Sequence, residues 1–300
     1  MDNITHSLVG ALLGQAGLKK KTGLAMPALI IGANIPDVDA ACFFWLEGVE
    51  HLGFRRGITH GPMAWILLPL ILAGLLWGYD RWQDRCGTRP KDRLPVNFKW
   101  LFLLGFIATL SHPALDWLNV YGVRFLEPFS SQWFYGDTLF IIDVWLWALM
   151  GFATWFSLWR EKWGGDYEEP TRWALGIGIL YIVMNSVISW LVASMASGQP
   201  AIASPMPLVS WEREVIEPYR AGKWQIDGEV VGECALEPVV KSAKGNSQAE
   251  AFLFWSRAPF AERATDGSVI LRDARFYDPR ARDRFSVALP QVKCEELPSE

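Results

Sequence analysis

Four stretches of this chain carry almost no charge, and each is long enough to constrain the rest of the fold. Met63 to Tyr79 has no charged residue, Trp100 to Leu115 has none apart from His112, Thr138 to Trp159 has only Asp143, and Trp173 to Trp211 has none. A bilayer core demands apolar helices of roughly 17–25 residues, so these runs predict four spanning helices at about 62–79, 99–118, 138–159 and 173–196. Composition agrees with a chain divided between lipid and water: 51% of the residues are hydrophobic, yet 20% are charged. Trp82, Trp100, Trp159, Trp163 and Trp173 sit at the ends of the runs, where interfacial anchors belong. A large soluble helical core is the alternative.

The first thirty-odd residues are apolar but do not read as a cleaved signal. They lack a basic start, Gly10, Gly14 and Gln15 interrupt the apolar run, and the cations Lys19, Lys20 and Lys21 come after it. Residues 4–18 and 24–33 predict two short helices. At about 1.5 Å per residue neither spans a bilayer, so a re-entrant hairpin packed against the spanning helices is expected.

Basic residues set the orientation. Lys19–Lys21 mark one side, together with Arg81, Arg85, Arg89, Lys91, Arg93 and Lys99, and with Arg160, Lys162 and Arg172; the opposite side has Arg55, Arg56 and Arg124. Positive residues stay cytoplasmic, so the chain after residue 200 is expected in the periplasm of a bacterium. Two domains follow: a membrane-embedded part, 1–200, and an extramembranous part, 201–300, joined through "SGQPAIASPMP". In the latter, "WQIDGEVV", "AFLFWSR", "SVILRDARFY" and "RFSVALP" have the β-branched and aromatic content of short strands. Cys234 and Cys294 both lie there and can form a disulfide in an oxidising compartment. The net charge of −4 suggests no nucleic-acid partner, and the basic loops are explained by topology.

Polar residues in apolar places carry the chemistry. His6 lies on the first short helix, "NIPDVD" supplies Asp37 and Asp39, His60 precedes the first long run, and "LSHPALDW" supplies His112 and Asp116. The last pair, four residues apart, shares a helix face, unless Pro113 sits in a first turn and starts the helix near His112. In the expected topology all six fall towards the non-cytoplasmic side. Imidazoles and carboxylates are ligands for zinc, manganese or iron, and six groups suit one ion or two. Asp37 can instead serve as a cap, and His112 with Asp116 as a simple intrahelical pair.

"HSLVGALLG", "PDVD", "RRGITH", "SHPALDWLNVYGVRFLEPFS" and "WFYGDTLFIIDVWLW" resemble the membrane-bound, LexA-regulated metal-dependent hydrolase family of the YdjM type. The resemblance covers roughly residues 1–160 and extends into the tail through "VILRDARF". It implies a metal-dependent hydrolase of the bacterial inner membrane, with membrane lipids around it and its substrate unspecified. The His and Asp pattern also resembles, loosely, zinc-dependent phospholipases C, which favours a phosphoester or lipid-linked substrate.

On this reading one or two divalent ions, zinc foremost, bind His6, Asp37, Asp39, His60, His112 and Asp116. The metal lowers the pKa of bound water, Asp39 or Asp116 is the general base, Gly57 allows a close backbone approach beside His60, and Arg55 and Arg56 suit a phosphate. Asp143 is expected to stand behind a ligating histidine or to pair with Arg124; Asp137 has no assigned role. The rival classes are a transporter, which would show paired halves with broken helices, and a non-catalytic membrane scaffold. Oligomeric state is left open.

Overall fold

The computed structural model describes residues 1–278 and 282–295. The chain forms two compact units, one of residues 1–38 with 56–186, the other of residues 39–55 with the chain from Val187 onward.

The first unit is helical. α1 (Asn3–Gln15) starts at Asp2, whose carboxylate accepts from the amides of Ile4 and Thr5, satisfying donors that a helix start leaves open. α2 (Ala25–Gly32) is followed by a 3-10 helix (Ile35–Phe44), with the two bent by 50°. A short turn of 3-10 helix (Ile58–His60) leads into α4 (Pro62–Arg85), the label α3 being kept for Glu50–Phe54 in the second unit. α5 (Phe98–Trp117), α6 (Val144–Lys162) and α7 (Glu168–Met195) complete the set, α7 running on into the second unit.

Two apolar clusters hold the helices together. Ala28 and Leu29 of α2 pack with Ala73 of α4 and with Leu101, Leu104 and Ala108 of α5. Leu12 of α1 packs with Leu146, Met150 and Ala153 of α6 and Ala174 of α7. α1 and α2 approach so closely that a Cβ on Gly10 would lie 2.6 Å from the Leu29 carbonyl oxygen, so only glycine fits. The outer faces are apolar as well: Ile66, Leu70 and Leu75 on α4, and Ile179, Leu180 and Val183 on α7, are exposed. Faces of that kind mark a membrane or partner surface.

Among the described residues three helices, α4, α5 and α7, are long and apolar enough to cross a membrane, and the bent α2 and 3-10 pair raises the number to four. α6, in the place of the expected span 138–159, is not among them. It begins six residues later than expected because the Asp143 carboxylate accepts from the Trp145 and Leu146 amides and caps it. The amides of Thr138 and Leu139 are engaged by the Leu118 carbonyl instead. His112 lies well inside α5 with Pro113 behind it in the helix, so the helix does not start there.

The two ends of this unit differ. At one, Lys19 pairs with Glu161 and Lys20 with Glu168, the latter at 2.5 Å, while the Asn97 amide donates to Thr22 Oγ1. At the other, Trp147 Nε1 donates to Thr5 Oγ1 at 2.9 Å and Tyr181 donates to Asp143 at 2.9 Å. α6 therefore runs the full distance between the lysine turn and the opposite end.

The second unit carries β1 (Ile202–Pro205), β2 (Arg213–Pro218), β3 (Trp224–Ile226) and β4 (Glu229–Val231) in one antiparallel sheet, in that order. A second antiparallel sheet has β5 (Pro259–Arg263), β6 (Ser268–Asp273) and β7 (Ser286–Lys293). Ile202, Ile216, Ile226, Val231 and Phe260 form the core. β1 comes from the segment expected to be a linker. Two helices, α8 (Leu236–Ser242) and α9 (Ser247–Trp255), lie between the sheets in sequence. "AFLFWSR" thus enters a helix rather than the expected strand, because Asn246 caps α9 and Ala249, Phe252 and Trp255 recur at helical spacing as its buried face. α3 packs on α9, where Gly53 sits so close that an added Cβ would meet Ala251 at 3.3 Å. A Cys234–Cys294 disulfide closes the tail.

Candidate metal centre

The first unit brings together five of the expected ligands. His6 comes from α1, Asp37 from the 3-10 turn after α2, His60 from the turn before α4, and His112 and Asp116 from successive turns of α5. The carboxylate of Asp116 is the hub. His6 Nε2 lies 3.4 Å from its Oδ1, and His60 Nε2 and His112 Nε2 lie 3.4 and 3.5 Å from its Oδ2. Asp37 Oδ1 stands 3.8 Å from His112 Nε2. His6 and His112 stack with ring centroids 3.7 Å apart. Ligand atoms of His6, His112 and Asp116 form one group within 4.8 Å, and those of Asp37, His60 and His112 another.

Neighbouring atoms aim these rings. His112 Nδ1 donates to the Ala33 carbonyl at 2.7 Å, so Nε2 presents a bare lone pair to the centre. Nδ1 of His60 lies 2.9 Å from Thr59 Oγ1, and Trp65 Nε1 donates to the His60 carbonyl at 2.7 Å. A Cβ on Gly61 would fall 2.0 Å from the Glu127 carbonyl oxygen; the close approach beside His60 is made at this glycine. Arg56 stands behind Asp116, its Nε 3.1 Å from Oδ2, with Nη1 donating to Asn119 Oδ1 and the Gly122 carbonyl. Its guanidinium covers the Tyr121 ring at 4.4 Å. Arg56 has a left-handed φ of 56°, uncommon for a side chain of this size and a kind of strain found at functional sites. The Met1 amine also meets Asp116 Oδ1.

The residues present fit a metal. Among the described residues, His6 Nδ1 and Nε2 and His112 Nε2 have no hydrogen-bond partner and are buried, a costly state for polar atoms shut away from water. Lone pairs of His112 and Asp116 facing one another at 3.5 Å repel unless a cation lies between them. Two ligands each about 2.1 Å from a tetrahedral ion lie about 3.4 Å apart, which is the spacing found around Asp116. These buried groups can therefore hold a metal ion.

The remaining expected residues are placed differently. Asp39 and Arg55 belong to the second unit, where Arg55 Nε donates to Asp39 Oδ1 at 3.3 Å and the guanidinium lies over Phe43. Arg56 is only 7% exposed, and its guanidinium is engaged by Asp116 and Asn119. Asp143 caps α6 and accepts from Tyr181, whereas Arg124 pairs with Glu127 at 2.9 Å; the expected Asp143–Arg124 pair is not formed. Asp137 occupies a left-handed turn, φ 49°. Asn119, which accepts from both Arg56 and the Tyr121 amide, went unnoticed in the sequence, although it lies three residues past Asp116 in "DWLNVYG".

A helical, membrane-type bundle with a buried His/Asp centre is the class that fold and site define. Residues 1–192 match the YdjM inner membrane protein family, and the chain belongs to that family. It is similar to the Uncharacterized protein YfhP of Bacillus subtilis (strain 168), 28% identical over 141 residues, which are 44% of this chain and 39% of that protein. The matched region thus spans well under half the length of that relative. No solved structure matches.

Proposed function

We propose that this chain is a multi-pass inner-membrane hydrolase that binds one divalent metal, zinc foremost, and cleaves an ester or phosphoester of a membrane lipid. The observation that carries the reading is the convergence of three imidazole Nε2 atoms on the Asp116 carboxylate at 3.4–3.5 Å. His6, His60, His112 and Asp116 would hold the ion, with Asp37 beside them. His112 belongs to both groups and its Nδ1 is taken by Ala33, which favours one ion over two. When bound, such an ion supplies Lewis acidity, polarising an ester oxygen and acidifying water.

The chain's own residues do the positioning. Arg56 and Asn119 fix Asp116, the Ala33 carbonyl fixes the His112 tautomer, and orienting partners of this kind tune ligand basicity. The Asp37 side chain is 10% exposed against 1% for Asp116, which makes it the face where substrate and water arrive. Asp39 and Arg55, paired with each other, have no role in this proposal.

α4, α5, α6 and α7 are assigned as spans, with α1 and α2 as a re-entrant pair. At 19 residues α6 is about 28 Å long, close to the hydrocarbon thickness of roughly 30 Å. The lysine turn and the 86–97 loop then face the cytoplasm by the positive-inside rule. The metal centre and the tail face the periplasm, where a Cys234–Cys294 disulfide would persist.

Complete burial of His6, His60 and His112 favours a second reading, a closed structural metal on a non-catalytic scaffold. Elemental analysis of the purified full chain tests both. One equivalent of zinc is expected in wild type and little in His60→Ala and His112→Ala. Protein that remains metal-free after reconstitution sinks both readings. A loaded wild type that turns over no member of a phospholipid and phosphoester panel leaves the scaffold.

A further inference from the structure

Beside the metal centre, the first unit contains an apolar cavity of about 400 Å³ bounded by α1, α5, α6 and α7. The space is half open at the helix surface, with Trp117 and Ile179 exposed at its rim, and ligand pockets start at about 300 Å³. The space exists because small residues face it: Ala114 on α5, and Ala174 and Gly178 on α7. A Cβ on Gly178 would meet Leu146 and Leu149 only at ordinary contact distances, 3.9 and 3.8 Å, so a larger side chain there would project into the void.

Two further features identify an occupant. Thr5 and Ser111 line the cavity, and each immediately precedes a stacked histidine of the centre, His6 and His112. Cavity and centre therefore share the same turns of α1 and α5. Both hydroxyl protons are already used, Thr5 Oγ1 donating to Asp2 and Ser111 Oγ to the Ala108 carbonyl, which leaves a slot lined mainly by hydrocarbon. Its walls include α5 and α7, helices apolar enough to cross a membrane, so the apolar species at hand is a lipid tail.

We propose that this cavity holds one acyl chain of a membrane glycerophospholipid and thereby positions its headgroup ester at the metal centre. The proposal deepens the hydrolase reading and rests on it for the purpose of the bound lipid, though not for the binding itself.

The full chain would be placed in phosphatidylethanolamine and phosphatidylglycerol vesicles carrying a phosphatidylethanolamine with a diazirine midway along one acyl chain. After illumination, label should concentrate on peptides containing Thr5–Leu12 and Ser111–Leu118. Gly178→Phe should lower that label by about fivefold or more by filling the slot, while leaving label on the exposed face of α4 unchanged. Ala114→Leu is the milder variant that carries the test should Gly178→Phe not fold. Label spread evenly over the cavity and α4, or unchanged in both variants, overturns the proposal. Concentrated label on a protein that binds no metal keeps the slot and discards the hydrolase.

Discussion

Each unit of this protein buries a carboxylate completely, and the two carboxylates are treated in opposite ways. In the second unit Asp273 has a full set of donors. Arg275 Nε and Nη2 reach it at 2.8 and 2.7 Å, the Arg275 amide at 2.9 Å, and Ser256 Oγ at 2.5 Å. The guanidinium is sandwiched against Trp255 and Phe276. Burial alone would raise the Asp273 carboxyl, but the Arg275 charge and the hydrogen bonds outweigh it and hold it below the usual carboxylate range. In the first unit Asp116 meets Arg56 and the Met1 amine but also three imidazoles, with a lone pair of His112 left facing it. A buried charge that is fully matched is a fastener. One that also gathers acceptors with no donor of their own is a place made for something else.

The contrast can be broken experimentally. The largest effect is expected from Arg275→Met, which strands Asp273 in an apolar core and should destabilise the second unit by about 3–5 kcal/mol. Chemical unfolding of the full chain, followed by Trp255 fluorescence, would register it, and chelator treatment should not reproduce it. A loss below 1 kcal/mol would show that Asp273 is not the fastener described.

Arg56→Ala should act differently. Without its orienting partner Asp116 remains a ligand but loses its aim, so zinc affinity should fall about 10–100-fold. Competition with a chromophoric chelator measures that change. Unaltered affinity would mean that Arg56 serves substrate and not ligand.

The smallest effect concerns an acid between the two extremes. Glu214 on β2 is half-buried, its neighbours are Asp227 and Asp278, and burial followed by those two charges pushes its carboxyl up to about 7. The folded state therefore holds this proton more tightly than the unfolded chain. The resulting stability is fully present below about pH 4.5 and fades as pH rises through 7, by on the order of 1–2 kcal/mol after allowance for solvent screening. Glu214→Gln should flatten this part of the stability profile across that window. A profile identical to wild type would reject the assignment.

Much of this was legible in the sequence, and the failures have physical causes. Uncharged runs located α4, α5 and α7 because hydrocarbon tolerates nothing else, and the four-residue spacing of His112 and Asp116 placed both on one helix face. The start of α6 was misread because Asp143, taken for an intramembrane acid, serves as a cap. "AFLFWSR" passed for a strand because Asn246 and Ala249, which set the helical phase, lie upstream of it. The separation of Asp37 from Asp39 was not visible at all. Two residues apart in "PDVD", they fall in different units because residues 39–55 pack against α9, some 200 residues along the chain, and that contact has no local signature.

The way the centre draws its ligands from distant segments also dictates the order of its biogenesis. His6 and Asp37 leave the ribosome on helices too short to anchor themselves, and His60 follows just before the first long helix. No arrangement of these three can match the site until α5 has been synthesised and inserted, bringing His112 and Asp116 together. The Ala33 carbonyl that aims His112 waits in the nascent chain for the same event. On the proposed reading, metal capture would be a late step that waits for the fifth helix, and a chain stalled before residue 112 would present loose ligands without a site.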